Sequence, residues 1–301
     1  MKALILVLTA AAFSFGQSRP PITGIAHAAF FVSDIDKARA FYKDYLGFAE
    51  PFDLKNPDGS LSLTFIKIND RQYVELFPER EKNSDRLNHI SIETTDAEAL
   101  RKYLASKGVK VPAQVSRNRI GNASFNVSDP DGHTLEITQY LPGGESLRNK
   151  GKAMPTTRIS DYMAHFGILV GSLDASRKFY GDILGFTETW RGSREGKALD
   201  WTNMKVPDGD DYIEFMLYST IPEPTKRGSA HHICLFVPDI EKAAAELKTR
   251  PGYDKPLVIR TGVNRKRQLN LFDMDGTRTE LMEPRTIDGV PTPSSNAPAP
   301  K

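Results

Sequence analysis

The chain reads as an α+β protein made of four βαβββ modules, paired into two tandem domains. Three observations predict this. The run HAAFFVSDIDKARAFYKDYLGF beginning at His27 returns 138 residues later as HFGILVGSLDASRKFYGDILGF beginning at His165. Each half then holds a looser echo of itself, LNHISIETTDAEALRKYLASKG around His89 and AHHICLFVPDIEKAAAELKTRPG around His232. Every copy also pairs an early histidine with a glutamate at nearly constant distance. An internal repeat of this kind sets the architecture before any single element is considered.

The elements follow in chain order. Residues 1–16 have the form of an export signal: Lys2, an apolar run from Ala3 to about Phe15, and the small residues Ser14 and Gly16 near the expected cut. That run is shorter than the roughly 20 residues that span a bilayer, so a removed signal is favoured over an anchor. The first domain is expected over residues 22–141. It begins with a strand around His27 and a helix from Asp34 to Leu46, capped by Ser33 or Asp34 and stopped by Gly47. Ile35, Ala38, Phe41, Tyr42 and Tyr45 recur at helical spacing, which gives that helix an apolar face to lay on a sheet. The turn Asn56-Pro57-Asp58-Gly59, an alternating strand near Leu61 to Ile68, the turn Asn69-Asp70 and a strand from Tyr73 to Phe77 complete the module. The second module ends with Ser124 to Val127, the turn Asp129-Pro130-Asp131-Gly132, and a strand from Thr134 to Tyr140. Residues 142–158 carry Gly143-Gly144, several charges and no apolar period, and read as a linker. The second domain is expected over residues 159–285. The Pro, Ser, Ala and Asn residues of 286–301 read as a disordered tail.

Composition narrows the function classes. The 301 residues include 40 basic and 38 acidic side chains, a formal charge of +2, which leaves no electrostatic footprint for nucleic acid or for a membrane surface. Small-molecule partners are the default, with the chain a monomer or homodimer. Cys234 is the sole cysteine, so no intrachain disulfide can form. An exported chain stabilised without disulfides is the expectation, placed in the periplasm or secreted from a bacterial cell.

The chemistry sits in the repeated pairs His27 and Glu75, His89 and Glu136, His165 and Glu214, His232 and Glu280, separated by 48, 47, 49 and 48 residues. Only six histidines occur in the chain, and four hold the same module position. Strand alternation puts Ile25, His27, Ala29 and Phe31 on one face and Tyr73, Glu75 and Phe77 on one face of the later strand, and an unpaired carboxylate in so apolar a strand is heavily penalised. First and last strands lying side by side, about 4.8 Å apart, let a histidine and a glutamate share one metal ion. One module then supplies two ligands and a pair supplies four. A repeat can also inherit such pairs without using them for metal. The regularity across four copies favours the ligand reading. His133 and His231 fall outside the pattern and read as solvated or packing residues.

These residues resemble the vicinal oxygen chelate superfamily, which includes glyoxalase I, the extradiol dioxygenases, fosfomycin-resistance proteins and bleomycin-binding proteins. The marks are the H…V.D…FY….LGF runs, the DPDG….E ending from Asp129 to Glu136, and its weaker counterpart DMDGTRTE from Asp273 to Glu280. The resemblance implies that two modules curl into a cup-shaped mixed sheet around a divalent metal: Zn, Ni, Mn or Fe. His27, Glu75, His89 and Glu136 would be the ligands in the first cup, and His165, Glu214, His232 and Glu280 in the second. It further implies a substrate held through two adjacent oxygens, with Glu136 and Glu280 as catalytic bases of a glyoxalase-like lyase or isomerase. Extradiol Fe(II) dioxygenase chemistry is the alternative; His165, His232 and Glu280 supply its triad, although Val263 to Asp275 lacks the histidine and tyrosine of those enzymes. A third reading is a small-molecule binding or drug-resistance protein, whose pocket Phe65, Tyr73, Trp190, Trp201 and Tyr212 would line.

Overall fold

The computed structural model describes residues 18–301; the expected export segment, residues 1–16, lies outside them. The elements run in the predicted order. β1 (Ile22–Val32) leads into α1 (Ile35–Arg39), whose chain continues as a π-helical turn over Ala40–Tyr45, then β2 (Ala49–Lys55), β3 (Leu61–Lys67) and β4 (Tyr73–Pro78). The second module has β5 (Leu87–Thr94), α2 (Ala97–Ser106), β6 (Ser116–Arg117), β7 (Ala123–Ser128) and β8 (Thr134–Gln139), followed by a short α3 (Glu145–Arg148). The second domain repeats this with β9 (Met163–Val170), α4 (Leu173–Ser176) and its π-helical continuation Arg177–Ile183, β10 (Thr187–Gly192), β11 (Trp201–Lys205) and β12 (Tyr212–Leu217). It closes with β13 (His232–Phe236), α5 (Ile240–Lys248), β14 (Ile259–Thr261), β15 (Lys266–Phe272) and β16 (Arg278–Thr286). None of the described helices is long and apolar enough to cross a membrane.

Local chemistry explains the boundaries. Asp34, Asp96, Ser172 and Asp239 each cap a helix by accepting backbone N–H bonds from its first turn. Gly47 and Gly185 end the first helix of each domain at φ +80° and +81°, a conformation that a side chain would resist. The widening to a π-helix was not legible in the apolar spacing.

Each domain is one curled, eight-stranded mixed sheet, ordered β2-β3-β4-β1-β5-β8-β7-β6 and β10-β11-β12-β9-β13-β16-β15-β14. The first and last strands of every module are parallel neighbours, β1 with β4, β5 with β8, β9 with β12 and β13 with β16. The module pairs meet along antiparallel β1–β5 and β9–β13 at the centre of each cup. This places all four histidine strands and glutamate strands side by side at the cup floor.

One apolar cluster runs through both domains, and Phe30 stacks on Phe166 with ring centroids 5.8 Å apart. Truncating either buried ring to alanine removes about 3–5 kcal/mol of core packing. Polar docking across the junction is reciprocal. Asp275 accepts the Ser33 N–H at 2.8 Å, and its counterpart Asp131 accepts the Gly171 N–H at 3.0 Å. The Ile25 N–H donates to Asp211 at 2.6 Å, as the Met163 N–H does to Gln72 at 2.9 Å. His133 and His231 also belong to this junction. They bind Asp129 and Asp85 at 2.8 and 3.0 Å, with ring centroids 5.2 Å apart. His231 is buried, so the solvated option does not apply to it.

Two expectations need correction. The residues read as a free linker form a strap: fully buried Lys67 donates to the carbonyls of Asn149 and Lys152 at 2.6 and 2.8 Å, and the Glu145 N–H donates to Ile120. The tail is likewise laid across its own domain. Thr292 donates to the Asn264 carbonyl at 2.6 Å, the Ser295 N–H to Arg191, and the Leu199 N–H to Pro298. Hydrogen bonds to the backbone of these segments, from the buried Lys67 side chain in one and from loop and β10 groups in the other, need little apolar content and hold both segments where composition alone suggests a free chain. The first ties β3 to the β6–β7 turn, and the second ties β10 to the β14–β15 turn.

Candidate metal centres

The first cup draws its donors from four strands. His27 on β1 and His89 on β5 face each other with Nε2 atoms 2.9 Å apart. Glu136 Oε2, from β8, lies 2.9 Å from His27 and 3.2 Å from His89, and Glu75, from β4, lies at 3.5 and 3.7 Å. In the second cup His165 and His232 stand 3.1 Å apart at Nε2, with Glu214 and Glu280 between 3.5 and 3.7 Å from both. All eight residues named from the sequence are thus brought together, four to a cup.

These spacings test the fit of a cation. Bonds of about 2.0–2.2 Å from one ion to nitrogen and oxygen donors set the donors about 3.0–3.6 Å apart. The second cup lies within about 0.1 Å of this range, at 3.1–3.7 Å, and the first is slightly contracted at 2.9 Å between His27 and both His89 and Glu136. The tautomers agree. His232 Nδ1 lies 2.8 Å from the Ala230 carbonyl, which can only accept and so favours a proton on Nδ1 and a lone pair on Nε2, the atom that the Arg278 guanidinium approaches at 2.7 Å. His165 Nδ1 pairs with the Tyr212 hydroxyl at 2.7 Å and His89 Nδ1 with Asn88 Oδ1 at 3.1 Å, which orient those rings in the same sense. Lone pairs facing each other among carboxylates are stabilised by a cation between them. The His/Glu cluster of each cup can hold a divalent metal ion.

Charge is distributed differently in the two cups. Burial opposes a positive His27, but the Glu75 charge and the bond to Glu136 prevail and raise its pKa. Burial pushes the Glu75 carboxyl up, whereas bonds from His27 and His89 hold Glu136 well below the usual carboxylate range in spite of burial. In the second cup burial wins at His165, which falls to about 4 against the pull of Glu214. Glu280 is held down to about 2, burial being overcome by the His232 bond and the Arg278 charge.

Close packing shapes the second cup. His232 pairs in register with Gly167, and a Cβ at Gly167 would lie 2.0 Å from His232 Cε1. The equivalent partner of His89 is Ala29. Arg278 Nη2 lies 2.8 and 2.7 Å from Nδ1 and Nε2 of His232. A guanidinium so close to Nε2 must shift for a cation to take that lone pair.

The cavities above the donors differ in lining. Over the first cup the cavity measures about 340 Å³, walled by Leu54, Leu63, Phe65, Phe77 and Ile120. Over the second it measures about 270 Å³ and is polar, with Arg194, Arg260, Arg278, Trp190 and Trp201 around Glu214 and Glu280. Of the aromatic residues named as pocket walls, Phe65 lines the first cavity and Trp190 and Trp201 the second; Tyr73 packs with Leu63, Phe65 and Ile120 beside His27, and Tyr212 holds His165 while lining an adjoining cavity with Trp190. Sequence reasoning missed Arg278, Gly167 and Asn88. Strand alternation two residues before Glu280 was the available signal for Arg278.

Comparison with known proteins supplies the family. Residues 24–137 and 162–281 both match the profile of the Glyoxalase/Bleomycin resistance protein/Dioxygenase superfamily. The uncharacterized protein YaeR of Escherichia coli strain K12 is 31% identical over 126 residues, 40% of this chain and 93% of YaeR. Among solved structures, the 2,3-dioxygenase LapB from Pseudomonas sp. KL28 has a TM-score of 0.66 at 16% identity, over 92% of this chain and 98% of LapB. The Mn(II)-bound glyoxalase from Novosphingobium aromaticivorans has 0.65 at 19% identity, over 88% and 83%. At these identities the likeness is one of fold.

Proposed function

Because the chain belongs to the Glyoxalase/Bleomycin resistance protein/Dioxygenase superfamily, we propose that it is an exported metal-dependent enzyme. In this reading it isomerises or lyses a small substrate held through two adjacent oxygens. The observation that carries the reading is the complete two-histidine, two-glutamate donor set at the floor of each cup. A divalent cation there supplies Lewis acidity, stabilising negative charge that develops on the substrate oxygens.

The chain's own groups handle the proton. Glu136 and Glu280 end the second module of each domain, are buried or nearly so, and are held ionised, so each can accept a proton from a carbon that bears one of the two oxygens and adjoins the other's carbon. The carboxyl that has taken the proton can then return it to the neighbouring carbon, which completes the isomerisation and restores the carboxylate. Apolar walls of Leu63, Phe65 and Ile120 exclude water from that transfer.

Elemental analysis of the mature protein, combined with hemithioacetal isomerisation under zinc or nickel and oxygen uptake with catechols under iron, tests the reading. Bound metal with isomerase turnover supports it. Catechol-dependent oxygen uptake would replace it with ring-cleaving chemistry, for which the two-histidine, one-glutamate subset suffices. Absence of bound metal after purification without chelator would sink it. Export is tested by the N-terminus of secreted protein, expected after residue 16.

A further inference from the structure

The two cups share a donor set but not a ligand environment. Arg177, Arg191 and Arg267 of the second domain are each paired with a glutamate, whereas Arg194, Arg260 and Arg278 at the second cup have no carboxylate partner among the described residues. Arg194 stacks over the Trp201 ring at 5.2 Å, which holds it at the mouth. Arg278 Nε is buried with no hydrogen-bond partner. A buried guanidinium donor left unmet is costly, and an anionic acceptor is the group that satisfies it. The first cavity is lined by Arg117 and Arg119, which also lack a carboxylate but are turned to neutral acceptors of the chain, Arg119 to the Ser62 hydroxyl at 2.9 Å and Arg117 to the Gly121 carbonyl at 3.2 Å; Arg278 reaches His232 through Nη2 while its Nε stays unmet. The position matching Arg278 there is Thr134.

From this asymmetry we infer that the second cup receives a small carboxylic acid bearing an oxygen on the adjacent carbon, its carboxylate held by Arg278 and drawn in by Arg194 and Arg260. The inference rests on the metal reading of the donor cluster and adds the substrate class. A cavity of about 270 Å³ suits a molecule of this size. Its anion would also give Arg278 an acceptor other than the Nε2 region of His232, freeing that lone pair for the cation. Acid and cation therefore assist each other's binding, and the coupling must be reciprocal.

The chain's only tryptophans, Trp190 and Trp201, both line this cavity, so tryptophan fluorescence reports on the second domain, and the Arg278 variant distinguishes the cup from the adjoining cavity that Trp190 also lines. Full-length mature protein is titrated with lactate and with its uncharged isostere lactamide, with and without Mn²⁺, with metal content measured separately. Lactate is expected to bind at least tenfold more tightly than lactamide. Arg278→Met is expected to abolish that preference while retaining the metal, and Arg260→Met, at an exposed position, to weaken it severalfold. Equal affinity for the acid and the amide, or an undiminished preference in Arg278→Met, overturns the inference. Tighter binding of inorganic phosphate than of lactate overturns the carboxylate assignment. Failure of Mn²⁺ to bind or quench the tryptophans overturns the metal reading instead, and the acid-to-amide ratio in metal-free protein still decides the anion site.

Discussion

Gly167 and His232 oppose each other across β9 and β13, and the imidazole occupies the space where a Cβ on residue 167 would lie. Gly167→Ala therefore displaces the His232 ring. Overpacking of this kind costs about 1–3 kcal/mol and moves a metal ligand. The variant is expected to lose metal from the second cup while the first stays loaded, which elemental analysis reads as a halving of metal content. Retention of the full complement would show that the ring relocates without cost.

Glu136→Gln and Glu280→Gln separate the two centres. Removing a positioned base lowers proton-transfer rates by about 10²–10⁴-fold. Each variant is expected to lose turnover at its own cup only, measured by single-turnover kinetics with the other cup disabled. Glu75→Gln provides the comparison: a larger loss there than in Glu136→Gln would move the base to β4.

Acidification should affect the two chelated domains in opposite directions. His165 titrates near 4 in the folded protein against 6.5 in an unfolded chain, so between those values the unfolded state binds more protons and stability falls as pH drops. Below about pH 4.5 the depressed Glu280 adds a loss of the same sign. His27, raised in the fold, contributes stability below 6.5 that disappears as pH rises through its folded value. Urea midpoints in chelator are the measurement. Asp273, pushed up to about 6 by burial, adds stability as pH drops through the same range and offsets part of this. The tryptophan-reported midpoint of the second domain should fall between pH 7 and pH 5 by less than the roughly 2 kcal/mol that His165 alone contributes, and hydrogen exchange in the first domain should not follow it.

Truncation before Pro291 removes the bonds from Thr292, Ser295 and Pro298 that tie β10 and its loop to the β14–β15 turn. Each such bond is worth about 0.5–1.5 kcal/mol net. The truncated protein should show greater acrylamide quenching of Trp190 and a lower melting temperature of the second domain, with the first unchanged. Identical quenching would mean the cup keeps its shape without the strap.

Much of this was legible in the chain because repetition multiplies weak signals. A single His27 or Glu75 says little, but four pairs at near-constant spacing place both donor sets, and strand alternation aims them inward. The helix caps at Asp34 and the stop at Gly47 were equally plain. What escaped depends on which residues meet across strands and loops. Gly167 matters only because β9 lies against β13, Arg278 only because its side chain meets His232, and the straps only because their groups reach partners far away in sequence. Composition cannot register backbone hydrogen bonding, so 286–301 read as free.

The reciprocal bonds at the domain junction have an evolutionary corollary. Asp131 on Gly171 and Asp275 on Ser33 reproduce the self-complementary contacts of a two-fold homodimer, here inside one polypeptide. Fusion lifts the demand that both halves stay alike. The Tyr180 hydroxyl still bonds Asp129, while its twin Tyr42 makes no such bond. A tethered pair of this kind can keep one greasy vessel and turn its sibling cationic, because no mutation in either is obliged to appear twice.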